Sequence, residues 1–187
     1  MIYEYEINNV KLKTGDIICT HDGGAPILAG QFWRFVGNLI PGDVDHVAVY
    51  LGPEGRCIEA GPIGVNVYEM KSNTWDSVNM MDQRGPVVDT FYGVAYPVEG
   101  RGLAEDKKTE TRELVAAYCL AQAGKHYNLN FLDSTTEDRF YCSHLAYLAY
   151  LKNGINVNTD QGVPHVPGTH SIVFPQEIWI GCVKKRA

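Results

Sequence analysis

The order of the secondary-structure signals is the feature that most constrains the fold of this chain. Short segments rich in β-branched residues come early, at residues 17–20, 45–51 and 56–60, and glycine-rich turns separate them. Apolar residues at helical spacing dominate later, over residues 109–123 and from Cys142 onward. Grouped strands followed by grouped helices are typical of α+β domains. The sequence therefore predicts an α+β fold in which a mainly antiparallel sheet packs against a helix.

Weaker patterns complete the predicted element order. They indicate a strand at residues 64–68, a helical turn at 73–79, a strand at 90–98 and a last short strand at 178–183. A helix is predicted over residues 29–40, because apolar residues recur every three or four positions and Pro41-Gly42 ends the run. Its aromatic residues Phe32, Trp33 and Phe35 could wall a groove for an acyl chain, although such a stripe more often packs in a core.

The composition is that of one globular domain spanning residues 1–187. An apolar share of 45% and a charged share of 20% are ordinary for a soluble protein. This length suffices to bury a core without disulfide or metal staples. The net charge of -6 argues against a phosphate-binding surface, so nucleic acid is not expected as a partner.

Neither an export signal nor a membrane-spanning segment is predicted. Residues 1–6 are acidic and lack the basic and apolar regions of a secretory signal, which favours a cytoplasmic location. The longest apolar region, residues 26–40, is interrupted by Gln31, Arg34 and Asn38 and is shorter than the ~20 residues that a spanning helix requires.

Cys142 is the candidate nucleophile. The residues that follow it form an apolar helical run, so its thiol is predicted at the first turn of a helix, where unpaired N–H groups and the helix dipole favour the thiolate. The five cysteines are odd in number, scattered and without a CxxC pair, which indicates reduced thiols. We expect the other four to pack, and neither a cofactor nor a metal is expected.

His46 and Glu59 are the candidate base and orienting group. If Gly52 and Gly55 close the hairpin as an opposed pair, His46 faces Gly61 and Glu59 lies on the same sheet face as His46. Such a cross-strand diagonal separates the Cα atoms by about 7 to 8 Å, within reach of an imidazole and a long carboxylate side chain. The imidazole would take the thiol proton, and the carboxylate would fix the tautomer. Taken singly, a strand-end histidine and a hairpin carboxylate would be ordinary structural residues.

Several stretches resemble the NlpC-type papain-like cysteine hydrolases, and more narrowly their circularly permuted, YiiX-like branch, related to lecithin:retinol acyltransferase-type proteins. The stretches are residues 13–18, 45–52, 58–60 with 64–65, 124–128 and 141–145. In the permuted branch the histidine and its orienting residue precede the cysteine, as His46, Glu59 and Cys142 do here. The resemblance implies a papain-like core with Cys142 as nucleophile, His46 as general base and Glu59 as orienting group.

The surroundings of this triad are less determined. Relatives commonly have an acidic residue two positions after the nucleophile. Here that residue is His144, which we expect to pack or to line the substrate rim. The Cys142 backbone N–H is the natural first oxyanion donor. A second could come from the loop around Thr20, His21 or Gln31, with His21 favoured, or from a tyrosine hydroxyl; Tyr141 is a further candidate for contact with the substrate.

The resemblance implies a hydrolase that forms an acyl-thioester intermediate. Its expected substrate is a small cell-wall-type peptide or a lipid-linked amide, and peripheral contact with a membrane or lipid is compatible with this chemistry. Acyl transfer or acyl hydrolysis on lipids is the nearest alternative. Two others are a papain-like fold that binds without turnover, and a noncatalytic module that binds zinc through the pairs Cys19/His21 and Cys142/His144, a spacing unlike that of ordinary zinc sites.

Overall fold

The computed structural model of the protein describes residues 1–21, 41–159 and 171–186. A six-stranded antiparallel sheet forms its centre. Its strands are β3 (Ile17–His21), β4 (His46–Tyr50), β5 (Arg56–Gly61), β6 (Gly64–Glu69), β7 (Thr90–Tyr96) and β10 (Val183–Arg186). Across the sheet they lie in the order β10-β7-β3-β4-β5-β6. Two small sheets flank it: the hairpin of β1 (Glu4–Ile7) and β2 (Val10–Lys13), and the short parallel pair of β8 (His126–Tyr127) and β9 (Arg139–Phe140).

Four helices accompany the sheet in the described part of the chain. They are α1 (Met81–Arg84), which follows a 3-10 turn at Val78–Met80, then α2 (Glu105–Ala121), α3 (Cys142–Leu151) and α4 (Pro175–Gly181). Among the residues that the structure describes, no helix is long and apolar enough to cross a membrane.

The inner strands of the central sheet, β3, β4 and β5, are buried on both faces. Val47, Val49 and Ile58 point to a core shared with α2, α3 and α4. Their neighbours Ala48 and Cys57 point to a second core, which the β1–β2 hairpin and the segment after β6 cover. Alternate side chains of one strand therefore reach two different environments, and a residue at a strand end can contact both.

The predicted hairpin register is confirmed. Val49 lies opposite Ile58 and Tyr50 opposite Cys57, as the turn between Gly52 and Gly55 requires. Gly55 has φ 79, and a Cβ there would lie 2.9 Å from the Met70 carbonyl oxygen, so the turn needs glycine at this position.

The boundaries of three predicted elements were wrong. Helix α2 begins at Glu105, four residues before the predicted start at Thr109, because Glu105 and Asp106 are well suited to the positive end of a helix dipole. The helical turn predicted at residues 73–79 lies later, at Val78–Met80. The strand predicted at 178–183 is mostly helix α4, since Pro175 occupies the first turn and Glu177 follows it. The helix predicted at 29–40, with its aromatic groove, lies outside the described residues.

Candidate active site

Cys142 is the first residue of α3, as predicted. Tyr141 before it is extended and makes no side-chain capping hydrogen bond, so the helix start is left without a side-chain cap. The cysteine is 7% exposed and belongs to the core on the helical face of the sheet. The start of a helix is a position at which unpaired backbone N–H groups and the helix dipole favour negative charge.

His46 is the first residue of β4 and links Cys142 to Glu59. Its Nε2 lies 2.8 Å from Glu59 Oε2, and because an ionised carboxylate only accepts, Nε2 is the donor. The remaining ring nitrogen, Nδ1, is then available to the Cys142 thiol, whose charge interacts with the imidazole. The His46 side chain is 16% exposed, whereas the Glu59 side chain is fully buried.

The electrostatics of this group favour a charged imidazole. Burial acts to lower the pKa of His46, but the charges and hydrogen bonds of Cys142 and Glu59 outweigh it and raise that pKa well above its usual value. Burial acts to raise the pKa of Glu59, yet the cations of Arg84 and His46 keep it below its usual value. The carboxylate is therefore ionised when the imidazole needs a partner.

Arg84 and Asp89 extend the group beyond the predicted triad. Arg84 is completely buried and donates Nε to Glu59 Oε1 at 2.9 Å and Nη2 to Glu59 Oε2 at 2.8 Å. Its opposite edge donates Nη1 and Nη2 to the two Asp89 oxygens, each at 2.9 Å. The sequence analysis missed both residues, because no local pattern links a short helix to a strand 25 positions earlier.

The two cores explain why these residues meet. Cys142 comes from the helical face of the sheet, whereas Arg84 lies over the rings of Tyr68 and Trp75, which belong to the core on the opposite face. His46 stands at the end of β4, where the sheet stops separating the two sides. One imidazole can therefore contact a carboxylate behind the sheet and a thiol in front of it.

Tyr127 is a third residue near the site that was not predicted from the sequence. It ends β8, packs against the core that contains Cys142 and interacts electrostatically with the cysteine. Burial raises the pKa of Tyr127, and the neighbouring Cys142 and Tyr141 raise it further. Its hydroxyl therefore stays protonated at neutral pH. Nothing in the spacing of residues could have selected this tyrosine.

Two of the three weaker candidates, His21 and Tyr141, lie near the triad. His21 ends β3, where the preceding Thr20 pairs with His46, and its ring contacts Tyr92 edge-on at a centroid distance of 5.6 Å. The Tyr141 hydroxyl accepts a hydrogen bond from the Val173 backbone N–H at 3.1 Å. Both lie close to the site, since His21 follows the residue that pairs with His46 and Tyr141 immediately precedes Cys142.

His144 does not line a substrate rim. It is 0% exposed, and its ring lies 5.1 Å from that of Phe140 and 5.0 Å from that of Tyr141. Burial lowers its pKa to about 4, against the opposing effects of the Ser134 backbone and nearby carboxylates, so it packs as a neutral ring. The rim alternative was wrong because the position two residues after Cys142 turns into the protein interior.

The other cysteines differ from Cys142 in their chemistry. Cys19, Cys57 and Cys119 are 0% exposed and Cys182 is 7% exposed, and burial raises the pKa of each of these four thiols. All five cysteines are free. No group of three or more His, Cys, Asp or Glu side chains in the described ranges is arranged to hold a metal ion.

A thiol, an imidazole that can accept its proton and a buried carboxylate that orients the ring are the parts of a cysteine nucleophile. The Cys142 backbone N–H, at the start of the helix, is a donor for the charge that forms on a carbonyl oxygen. This arrangement can transfer an acyl group to sulfur and then to water.

Comparison with known proteins agrees with this chemistry. Residues 11–165 match the family model described as permuted papain-like amidase enzyme, YaeF/YiiX, C92 family. No curated protein and no solved structure was found to match the chain.

Proposed function

Because the chain belongs to the permuted papain-like amidase enzymes of the YaeF/YiiX, C92 family, we propose that it cleaves amide bonds in cell-wall-type peptides or lipid-linked amides through a thioester on Cys142. One observation carries the proposal. The imidazole of His46 interacts with the Cys142 thiol, and its Nε2 lies 2.8 Å from Glu59 Oε2. A histidine that served only the fold would not need both partners.

The reaction proceeds in two halves. His46 takes the thiol proton, and the Cys142 sulfur attacks the carbonyl carbon to give a tetrahedral oxyanion. The carbon–nitrogen bond then breaks as His46 gives its proton to the leaving amine, and the acyl group remains on sulfur. His46 next removes a proton from water, which attacks the thioester, and the carboxylic acid leaves as the thiol re-forms.

Tyr127 is our proposed second oxyanion donor. Tyr127 packs against the core that contains Cys142, its hydroxyl is protonated, and it interacts electrostatically with the Cys142 thiol. Tyr127→Phe removes this donor while keeping the ring, so kcat is expected to fall by about 10- to 100-fold with little change in KM. A wild-type kcat in this variant would assign the second donor elsewhere. Tyr118→Phe, whose hydroxyl binds Glu137 on the surface, is the matched control.

The second candidate function, acyl transfer or acyl hydrolysis on lipids, has an observation in its favour. Leu129, Phe131 and Leu132 are 80%, 43% and 56% exposed. The Phe131 ring stacks edge-on against Tyr127 and Tyr141, at centroid distances of 6.4 and 5.3 Å. An exposed apolar loop beside the nucleophile suits the acyl chain of a lipid-like substrate, and it would also support peripheral contact with a lipid surface.

A substrate panel tests the proposed function. Short-chain and long-chain N-acyl peptides, the matching esters and a cell-wall peptide would be incubated with the wild type and with Cys142→Ser, and the products weighed by mass spectrometry. We expect amides to be cleaved by the wild type alone. Transfer to an added alcohol or amine in place of hydrolysis would favour the acyltransferase, and stoichiometric zinc bound through Cys142 with no turnover would favour the binding module.

A further inference from the structure

The network behind the triad buries more charge than the fold needs. Glu59, Arg84 and Asp89 have side-chain exposures of 0%, 0% and 5%, and they form two ion pairs. Buried ion pairs seldom stabilise a protein more than well-packed apolar residues would. Four hydrogen bonds from one guanidinium to two carboxylates therefore point to a requirement for orientation or charge.

The Arg84–Asp89 pair is connected to the reacting groups through one atom, Glu59 Oε2. Glu59 Oε2 accepts from Arg84 Nη2 and from His46 Nε2, each at 2.8 Å. Asp89 is in turn fixed by Thr20 Oγ1 at 2.7 Å and by Trp75 Nε1 at 3.0 Å. Any change in the charge or position of Arg84 reaches Cys142 through this oxygen and the imidazole.

Charge balance shows why two carboxylates are present. Arg84 alone would fix Glu59 in place, but its positive charge would cancel the negative potential that stabilises the His46 imidazolium. Asp89 neutralises Arg84, so the three side chains together keep a net charge of about -1 next to His46. The guanidinium can then orient Glu59 without weakening its effect on the base.

We propose that Arg84 and Asp89 are positioning residues for the catalytic pair: Arg84 holds the Glu59 carboxylate in the orientation that His46 requires, and Asp89 offsets the charge of Arg84. The other titratable or charged groups that act on this network are Cys142 from α3, Cys57 from β5 and Tyr68 from β6. The inference relies on the proposed function only for the role of His46 as base.

Titration of His46 by NMR tests the inference without any substrate. The histidine would be labelled with ¹⁵N and assigned with His46→Gln. In Asp89→Asn, which keeps the shape and removes the charge, the pKa of His46 is expected to fall by about 0.5 to 1. Cys142 should also react more slowly with iodoacetamide at neutral pH. Failure to cleave any substrate would overturn the proposed function but leave this titration unaffected.

Asp16→Asn is the matched control. Asp16 is buried like Asp89 and pairs with Arg112 at 2.6 Å, in a region that does not touch the triad. The Asp16→Asn variant should have a lower free energy of unfolding than the wild type but an unchanged pKa of His46. A folded Asp89→Asn in which His46 titrates as in this control overturns the inference, because the pair would then serve the fold alone.

If Asp89→Asn does not fold, Arg84→Lys provides a second test of the inference. Lysine keeps the charge but cannot place paired donors on both carboxylates. We expect the low-field Nε2 proton resonance of His46, which reports its hydrogen bond to Glu59, to be lost through exchange with water. A resonance as sharp as that of the wild type would show that Arg84 does not orient Glu59.

Discussion

Cys142→Ser is expected to lower the rate of amide hydrolysis at least about a thousandfold. The hydroxyl of serine is a far weaker acid than a thiol, so His46 cannot generate an equivalent nucleophile at neutral pH. His46→Ala should be similarly inactive, because the two side chains act as one unit and their effects are not additive. Values of kcat/KM for the wild type, both variants and their combination would show this.

Cys119→Ala controls for the loss of a cysteine as such. Cys119 is buried in α2 and its pKa is raised by burial, so it has no part in the chemistry. Its removal should leave kcat/KM unchanged at temperatures where the variant is folded. Wild-type hydrolysis by Cys142→Ser, with Cys119→Ala inactive, would place the nucleophile elsewhere.

Arg84→Met is expected to destabilise the protein by about 3 to 5 kcal/mol, the largest effect on folding that we expect from a single change. Methionine fills much of the space between Tyr68 and Trp75 but removes the cation that pairs with both buried carboxylates, Glu59 and Asp89. Glu59 keeps its hydrogen bond to His46. Urea unfolding at neutral pH would measure the loss. Lys107→Met, which breaks an exposed pair with Glu110, should change the free energy of unfolding by no more than about 0.5 kcal/mol.

The pH dependence distinguishes lost charge pairing from lost packing. Burial acts to raise the pKa of Asp89, but Arg84 and its hydrogen bonds lower it from 3.8 to about 2, so its contribution to wild-type stability is fully present above pH 3.8 and is lost as the pH falls toward 2. In Arg84→Met the lowering effect of Arg84 is lost, although His46 and Thr20 still act on the two carboxylates. The pKa of each carboxylate therefore rises above its wild-type value, and its ionisation favours folding less. The difference in the free energy of unfolding between the wild type and Arg84→Met should therefore become smaller below about pH 5. If the variant lost only packing contacts, this difference would not change with pH.

The sheet was largely predictable from local patterns, and the errors in the predicted elements also have local causes. Alternation and the glycine turn fixed the β4–β5 register, since a slip of one residue would have moved Glu59 to the other face. No strand was predicted before residue 17, although Asn8 and Asn9, with φ 48 and 61, are the residues that a tight two-residue turn favours. At residues 175–181 the apolar run was too short for periodicity to separate helix from strand.

The candidate site was predictable only where it coincides with the resemblance. The order of His46, Glu59 and Cys142 indicated their roles, and the hairpin register supported the first pair. Arg84 and Asp89 gave no signal, because a buried arginine in a four-residue helix looks like any surface arginine in the sequence. Only the three-dimensional structure shows that it reaches the back of the triad.

Alkylation of the five thiols by iodoacetamide at neutral pH, followed by peptide mapping, tests most directly whether His46 and Glu59 activate Cys142. We expect label on the peptide that contains Cys142 well before the other four thiols, and a rate at least about tenfold lower in His46→Gln. Uniform labelling of the cysteines, or a Cys142 rate that His46→Gln leaves unchanged, would contradict it.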